Sequence, residues 1–102
     1  TLQLDDGSGR TYQLRESANV IGRGQDAQFR LPDTGVSRRH LEIRWDGQVA
    51  LLSDLNSTNG TTVLPQGEAP FTLRDGASVQ VELGTVLDLG DGVSLRIEPP
   101  RG

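Results

Sequence analysis

At 102 residues, with ten arginines, fourteen acids, a single histidine and a net charge of −4, the chain has room for one domain with one core and is too acidic overall for a general nucleic-acid binder. The absence of cysteine removes disulfide frameworks and thiolate zinc sites, and one histidine removes His-rich metal centres. No run approaches the ~20 apolar residues of a membrane span, and Thr1 opens on a strand-like pattern with no basic-then-apolar leader, so the expectation is a soluble, cytoplasmic piece of a larger protein, without cofactor, metal or membrane insertion.

Short alternating runs of Val, Leu and Ile recur about every eight to ten positions, the spacing of a sandwich or barrel. Strands are expected near 1–4, 11–15, 18–22, 27–31, 40–46, 48–53, 61–64, 70–74, 78–83, 85–89 and 93–98. Asp6-Gly7, Asp46-Gly47, Asn59-Gly60, Asp75-Gly76 and Asp91-Gly92 mark turns in which glycine accepts positive φ. Across 40–46, Leu41, Ile43 and Trp45 should face one side and Glu42 and Arg44 the other. No stretch holds a helical period, so the expected fold class is all-β, a two-sheet β-sandwich of about eleven strands. One domain over 1–98 and a tail over 99–102 complete the organisation.

Three polar clusters interrupt this pattern. Gly22-Arg23-Gly24 follows a strand; its glycines let backbone approach a ligand while one guanidinium projects, and without a third glycine and a helix it is no dinucleotide fingerprint. Ser37-Arg38-Arg39-His40 precedes a strand. A hydrolase pair of Ser37 and His40 would need an orienting acid and an oxyanion hole, and nothing in the loop supplies them. His40 is expected to tie the loop to backbone groups, and of the two adjacent arginines Arg38 is expected to point inward. Asn56-Ser57-Thr58-Asn59-Gly60-Thr61 bridges two strands with more hydrogen-bonding side chains than a turn needs. Thr58 and Asn59 are expected to meet a ligand there, while Asn56, Ser57 and Gly60 shape the loop. Both glycosylation matches in that run lack a secretory context, and Asp5-Asp6 and Asp88 with Asp91 lack the spacing of a calcium loop.

The three clusters share a chemistry. Guanidinium forks, short hydroxyls, carboxamides and glycine-exposed amides are what a dianionic phosphate ester needs around it. Residues 20–45 hold five arginines against three acids, whereas the remainder holds five against eleven. A basic island on an acidic body suits a compact anion and repels a long polyanion. In a sandwich, loops of one hand gather at one end, so all three clusters can meet.

The order glycine-arginine, serine-x-x-histidine, asparagine-glycine-threonine resembles the forkhead-associated (FHA) domain over roughly residues 1–64. It looks most like the FHA domains of actinobacterial Ser/Thr-kinase signalling proteins. The resemblance implies an eleven-stranded FHA/SMAD-like sandwich that binds phosphothreonine peptides through loops at one end and catalyses nothing. Carried onto this sequence, Arg23 would pair with the phosphate, Ser37 and Thr58 would donate hydroxyls to it, Arg38 would contact phosphate or nearby peptide, and Asn59 would bond the peptide backbone. Gly22, His40 and Gly60 match positions that shape loops. After Val63 the family's ending can be drawn twice, beginning at Leu73-Arg74-Asp75-Gly76 or at Leu83-Gly84.

The expected partner is therefore a phosphothreonine-containing protein, a Ser/Thr kinase or its substrate, docked in signalling. The alternative is a constitutive, phosphate-independent interaction domain that uses the altered segment 64–92.

Overall fold

Alternation of buried and exposed side chains sorts eleven strands into two sheets. The structure, a computed structural model, describes residues 3–5, 7, 9–47, 49–90 and 92–99. In chain order the strands are β1 (Gln3–Asp5), β2 (Thr11–Gln13), β3 (Ser17–Gly22), β4 (Phe29–Arg30), β5 (Leu41–Trp45), β6 (Ala50–Asp54), β7 (Thr61–Leu64), β8 (Phe71–Leu73), β9 (Ser78–Val81), β10 (Val86–Gly90) and β11 (Val93–Glu98). One sheet runs β2-β1-β11-β10-β7-β8, the other β4-β3-β5-β6-β9. All pairings are antiparallel except β3 with β4.

The core lies between the sheets. Leu4, Leu87, Leu95 and Ile97 meet Ile21, Leu41, Ile43 and Leu52 in one apolar cluster, and each buried Leu or Ile contributes roughly 1.5–3 kcal/mol. On β5, Leu41 and Ile43 are buried and Arg44 is exposed, as alternation requires. Tyr12 stacks on Phe29 with ring centroids 5.5 Å apart, and its hydroxyl donates to the buried Asn19 carboxamide at 3.1 Å.

Two of the expected turn dipeptides do something other than close a hairpin. Asp46-Gly47 joins the paired strands β5 and β6, but Asn59-Gly60 and Asp75-Gly76 each carry the chain from one sheet to the other. A turn reverses direction locally; which sheet the next strand joins is settled by its buried face. Asp75 and Gly76 both take positive φ, 56° and 81°. β8 pairs with β7, Val63 opposite Phe71, β9 crosses to β6, and the turn at Leu83-Gly84 returns the chain to β10. β10 and β11 then form the chain's closing hairpin.

The outer ends of several expected strands are shorter than the sequence pattern. β9 stops at Val81 because Gly84 adopts φ 85° in the turn. Thr1 and Leu2 of the first expected strand, Asp6 and Asp91 of two turn dipeptides, and residues 100–102 of the tail lie outside the described residues. Among the described residues no helix is long and apolar enough to cross a membrane, and no cluster of three or more His, Asp or Glu could hold a metal ion.

Candidate functional site

β3 and β6 run toward one pole and β5 runs away from it, so the segments 23–28, 31–40 and 55–60 are all delivered there. The first two are laced together through backbone. Arg23 N–H donates to the Ser37 carbonyl and Gly24 N–H to that of Arg38, both at 2.9 Å. This approach explains Gly22: a Cβ there would overlap the Arg38 carbonyl.

Two buried polar side chains tie in the third segment. His40 is wholly buried. Its Nδ1 accepts from Ser37 N–H at 3.1 Å and its Nε2 lies 2.8 Å from the Gly60 carbonyl. The neutral Nε2–H tautomer satisfies both bonds at once. Burial holds the imidazole below its ordinary value of 6.5, against the opposing pull of the Gly60 carbonyl and the Asp54 charge. Asp54, equally buried at the end of β6, accepts from Ser57 N–H at 3.2 Å, from the Ser57 hydroxyl and from the Thr61 hydroxyl at 3.0 Å. Asn56 and Gly60 complete the loop in left-handed conformations, φ 59° and 74°.

On this frame the remaining candidates converge. Arg23 Nε donates to the Val36 carbonyl at 3.1 Å, which pins its stem while the side chain stays exposed. Thr58 N–H donates to Ser37 Oγ at 3.0 Å, so the Ser37 hydroxyl proton is left to donate elsewhere. Asn59 Nδ2 donates to the Gly35 carbonyl at 2.8 Å, with the side chain resting on Gly90 of β10, where a Cβ would stand 2.8 Å from that nitrogen. Next to these loops is an open groove of about 540 Å³, lined by Arg23, Arg30, Arg38 and Arg39 together with Gly24, Gln25 and Asp26.

The site differs from the sequence reading in two respects. Arg38 and Arg39 both line the groove, although strand-like alternation would turn one of them away; they sit in a turn, where successive side chains need not oppose each other. Asp54, Arg30 and Gly90 were not singled out at all. The signal available for Asp54 was its place three residues before Ser57, a spacing at which a carboxylate bonds nearby hydroxyl and backbone N–H groups. Arg30 and Gly90 reach the site only through pairing across the sheets.

Chemically, the pole offers guanidinium, hydroxyl and amide donors around an open volume. Among the described residues the salt bridge at 2.8 Å is Arg44 with Glu42, away from the groove. Among the described residues none of the four groove arginines is in an ion pair, and all four are exposed.

The sequence model of the FHA domain matches residues 19–90. The chain belongs to the FHA-domain family. It is 76% identical over 81 residues to the FHA domain-containing protein FhaA of Mycobacterium tuberculosis, an alignment that takes in 79% of this chain and 15% of FhaA. This chain thus spans a small part of that relative's length. Its fold superposes on the FhaA FHA domain solved in complex with the intracellular domain of Rv3910, with a TM-score of 0.77 and 67% identity, over 95% of this chain and 97% of the other. A second FHA domain, from a structural and functional study of phosphothreonine-dependent FHA domain interactions, superposes with a TM-score of 0.78 and 65% identity, covering 98% and 95%. The match to this FHA family spans all three loop segments.

Proposed function

We propose that this FHA domain is a phosphothreonine-peptide recognition module that docks a partner phosphorylated by a Ser/Thr kinase. The observation that carries the reading is the interlocking of three loops behind an arginine-lined groove, the first two by backbone bonds and the second and third by His40, with Asp54 bracing the third. In this reading Arg23 grips the phosphate, the Ser37 and Thr58 hydroxyls donate to it, Arg38 reaches phosphate or adjacent peptide, and Asn59 holds the peptide backbone. Gly22, His40, Asn56, Ser57 and Gly60 keep the loops in place. A hydrogen bond to a charged group is worth roughly 1.5–3 kcal/mol, so a few convergent ones support micromolar binding, about −8 kcal/mol, once ordering costs are deducted. The likeness to FHA domains studied for phosphothreonine-dependent interactions supports the same ligand class.

The module is non-catalytic in this reading, because the Ser37 and His40 side chains serve each other's loops. The Ser37 hydroxyl accepts from Thr58 N–H, and both His40 nitrogens are occupied by backbone. The domain comprises residues 1–98 and acts in the cytoplasm, a placement compatible with its cysteine-free composition. The deciding experiment is an array of phosphothreonine peptides from kinase activation and juxtamembrane segments, each beside its unphosphorylated twin. Binding restricted to phosphorylated members is expected; equal binding of the twins ends the proposal.

A second reading, constitutive docking without phosphate, draws on a groove of about 490 Å³ in the segment after Val63, where Phe71 and Leu83 are 39% and 50% exposed. Substituting both residues would then reduce partner capture more than losing Arg23 does.

A further inference from the structure

The outer edge of β9 is unguarded. Each sheet ends in two edge strands, β2 and β8 in one, β4 and β9 in the other. β2 and β8 run for three residues and β4 for two, one of them Arg30, and short or charged edges resist pairing with other chains. β9 runs for four, Ser78-Val79-Gln80-Val81, with no charge, no proline and an unbroken register against β6. Among the described residues no strand covers its other side.

Apolar surface gathers around this edge. Among the described residues the large apolar side chains left exposed are Val49, Leu51, Phe71 and Leu83, each at least 39% open to solvent. Phe71 and Leu83 border the groove of about 490 Å³ beside β9, Val49 and Leu51 border a hollow on the neighbouring β5–β6 hairpin, and Val49 and Leu83 border a third hollow between them. Gln80 lines all three. A continuous apolar patch of this kind marks an interaction surface. The turn that carries Leu83 is also held in advance: Gly84 N–H donates to the Ile97 carbonyl at 2.8 Å, and the Gln66 carboxamide packs where a Gly84 Cβ would stand.

Charge identifies the occupant. Glu68 and Glu82 line the groove, both are exposed, and neither is in an ion pair among the described residues. No arginine lines it. A second copy of this chain paired along β9 would bring four carboxylates to one seam between two bodies of net charge −4, and like charges brought together oppose association. A strand that carries cations meets the complementary field.

We propose that β9 is a docking edge to which an extended segment of a partner protein, with apolar side chains alternating with lysine or arginine, adds as a further strand. Main-chain bonds to β9 supply affinity, one set of alternate side chains enters the groove beside Phe71 and Leu83, and the cations meet Glu68 and Glu82. The edge takes part of the groove named in the second reading, but it works alongside phosphothreonine docking instead of replacing it. The two surfaces share no residue, so both can be occupied at once.

The test titrates the isotope-labelled domain with an end-capped heptapeptide of alternating lysine and valine, up to about 1 mM, beside a twin with glutamate in place of lysine, and follows amide chemical shifts. The lysine peptide should shift the amides of residues 78–83 and Phe71, leave the loops 23–28, 37–40 and 56–60 unmoved, and bind at least about fivefold tighter than its twin. In the Glu68→Lys/Glu82→Lys variant, with folding checked by thermal unfolding, the preference should invert in favour of the glutamate peptide, while phosphothreonine-peptide affinity changes by less than about twofold. No shift along β9, equal binding of the two peptides, or a lysine preference that survives the charge reversal overturns the docking edge. A concentration-dependent dimer that protects the β9 amides from hydrogen exchange gives the edge to a second copy and overturns it as well. Each of these results leaves the phosphothreonine reading standing, and equal binding of phosphorylated and unphosphorylated peptides at the arginine groove leaves the docking edge standing.

Discussion

The two poles of the sandwich are built on opposite plans. At the groove end, loops far apart in sequence are joined by side-chain bonds: the buried His40 bonds Ser37 and Gly60, and the exposed Asn59 reaches back to Gly35. At the other end the β5–β6 hairpin is held by local bonds, with Asp46 accepting from Val49 N–H at 2.8 Å, and it carries an apolar rim of Trp45, Val49 and Leu51. A short turn needs no long-range ties. Three loops that must present donors to one ligand do, because every donor left free to wander costs ordering entropy on binding.

The contrast can be broken most severely at Asp54. Asp54→Ala removes an acceptor shared by three donors and leaves the buried Thr61 hydroxyl unpaired, so unfolding free energy in urea should drop by about 2–4 kcal/mol and peptide affinity should drop with it. Arg23→Ala should separate binding from folding. We expect a loss of roughly ten- to a hundredfold in phosphothreonine-peptide affinity, the worth of a charged hydrogen bond, with thermal stability nearly unchanged because the side chain is exposed.

Gly60→Ala sits between these. At φ 74°, with Thr72 Cγ2 3.0 Å from where the Cβ would stand, it should cost about 1–2 kcal/mol of stability, read from the same urea curves.

The His40 tie adds a pH signature confined to one pole. Because its folded-state pKa lies below the ordinary 6.5, the unfolded chain takes up a proton first. Stability should hold above about 6.5, decline as the pH falls below that value, and level off once the folded imidazole is protonated too. His40→Gln should flatten this part of the profile, and a profile unchanged by that substitution would remove His40 as the cause.

The smallest effect belongs to the outer sheet face. Arg44 pairs with Glu42 on the same strand but its side chain is 66% exposed, so Arg44→Ala should change stability by less than about 0.5 kcal/mol and peptide affinity by less than about twofold. A large loss of binding in this variant would move the ligand away from the groove.

Much of this protein was legible in the residues alone. Alternation placed the strands, because a side chain on a pleated sheet must choose between core and water, and that choice repeats every second residue. The polar clusters 22–24, 37–40 and 56–60 stood out for the same reason: they break the alternation, and their guanidinium, hydroxyl and glycine content names the chemistry of the ligand. What alternation cannot carry is the meeting of residues distant in the chain. That Asn59-Gly60 leads into the opposite sheet, that Asp54 rather than a residue inside the motif holds the loop, and that Arg30 and Arg39 share a groove with Arg23 were decided only when strands paired and the two sheets closed over one core. Local pattern states which face a residue seeks; long-range packing alone states which neighbours it finds there.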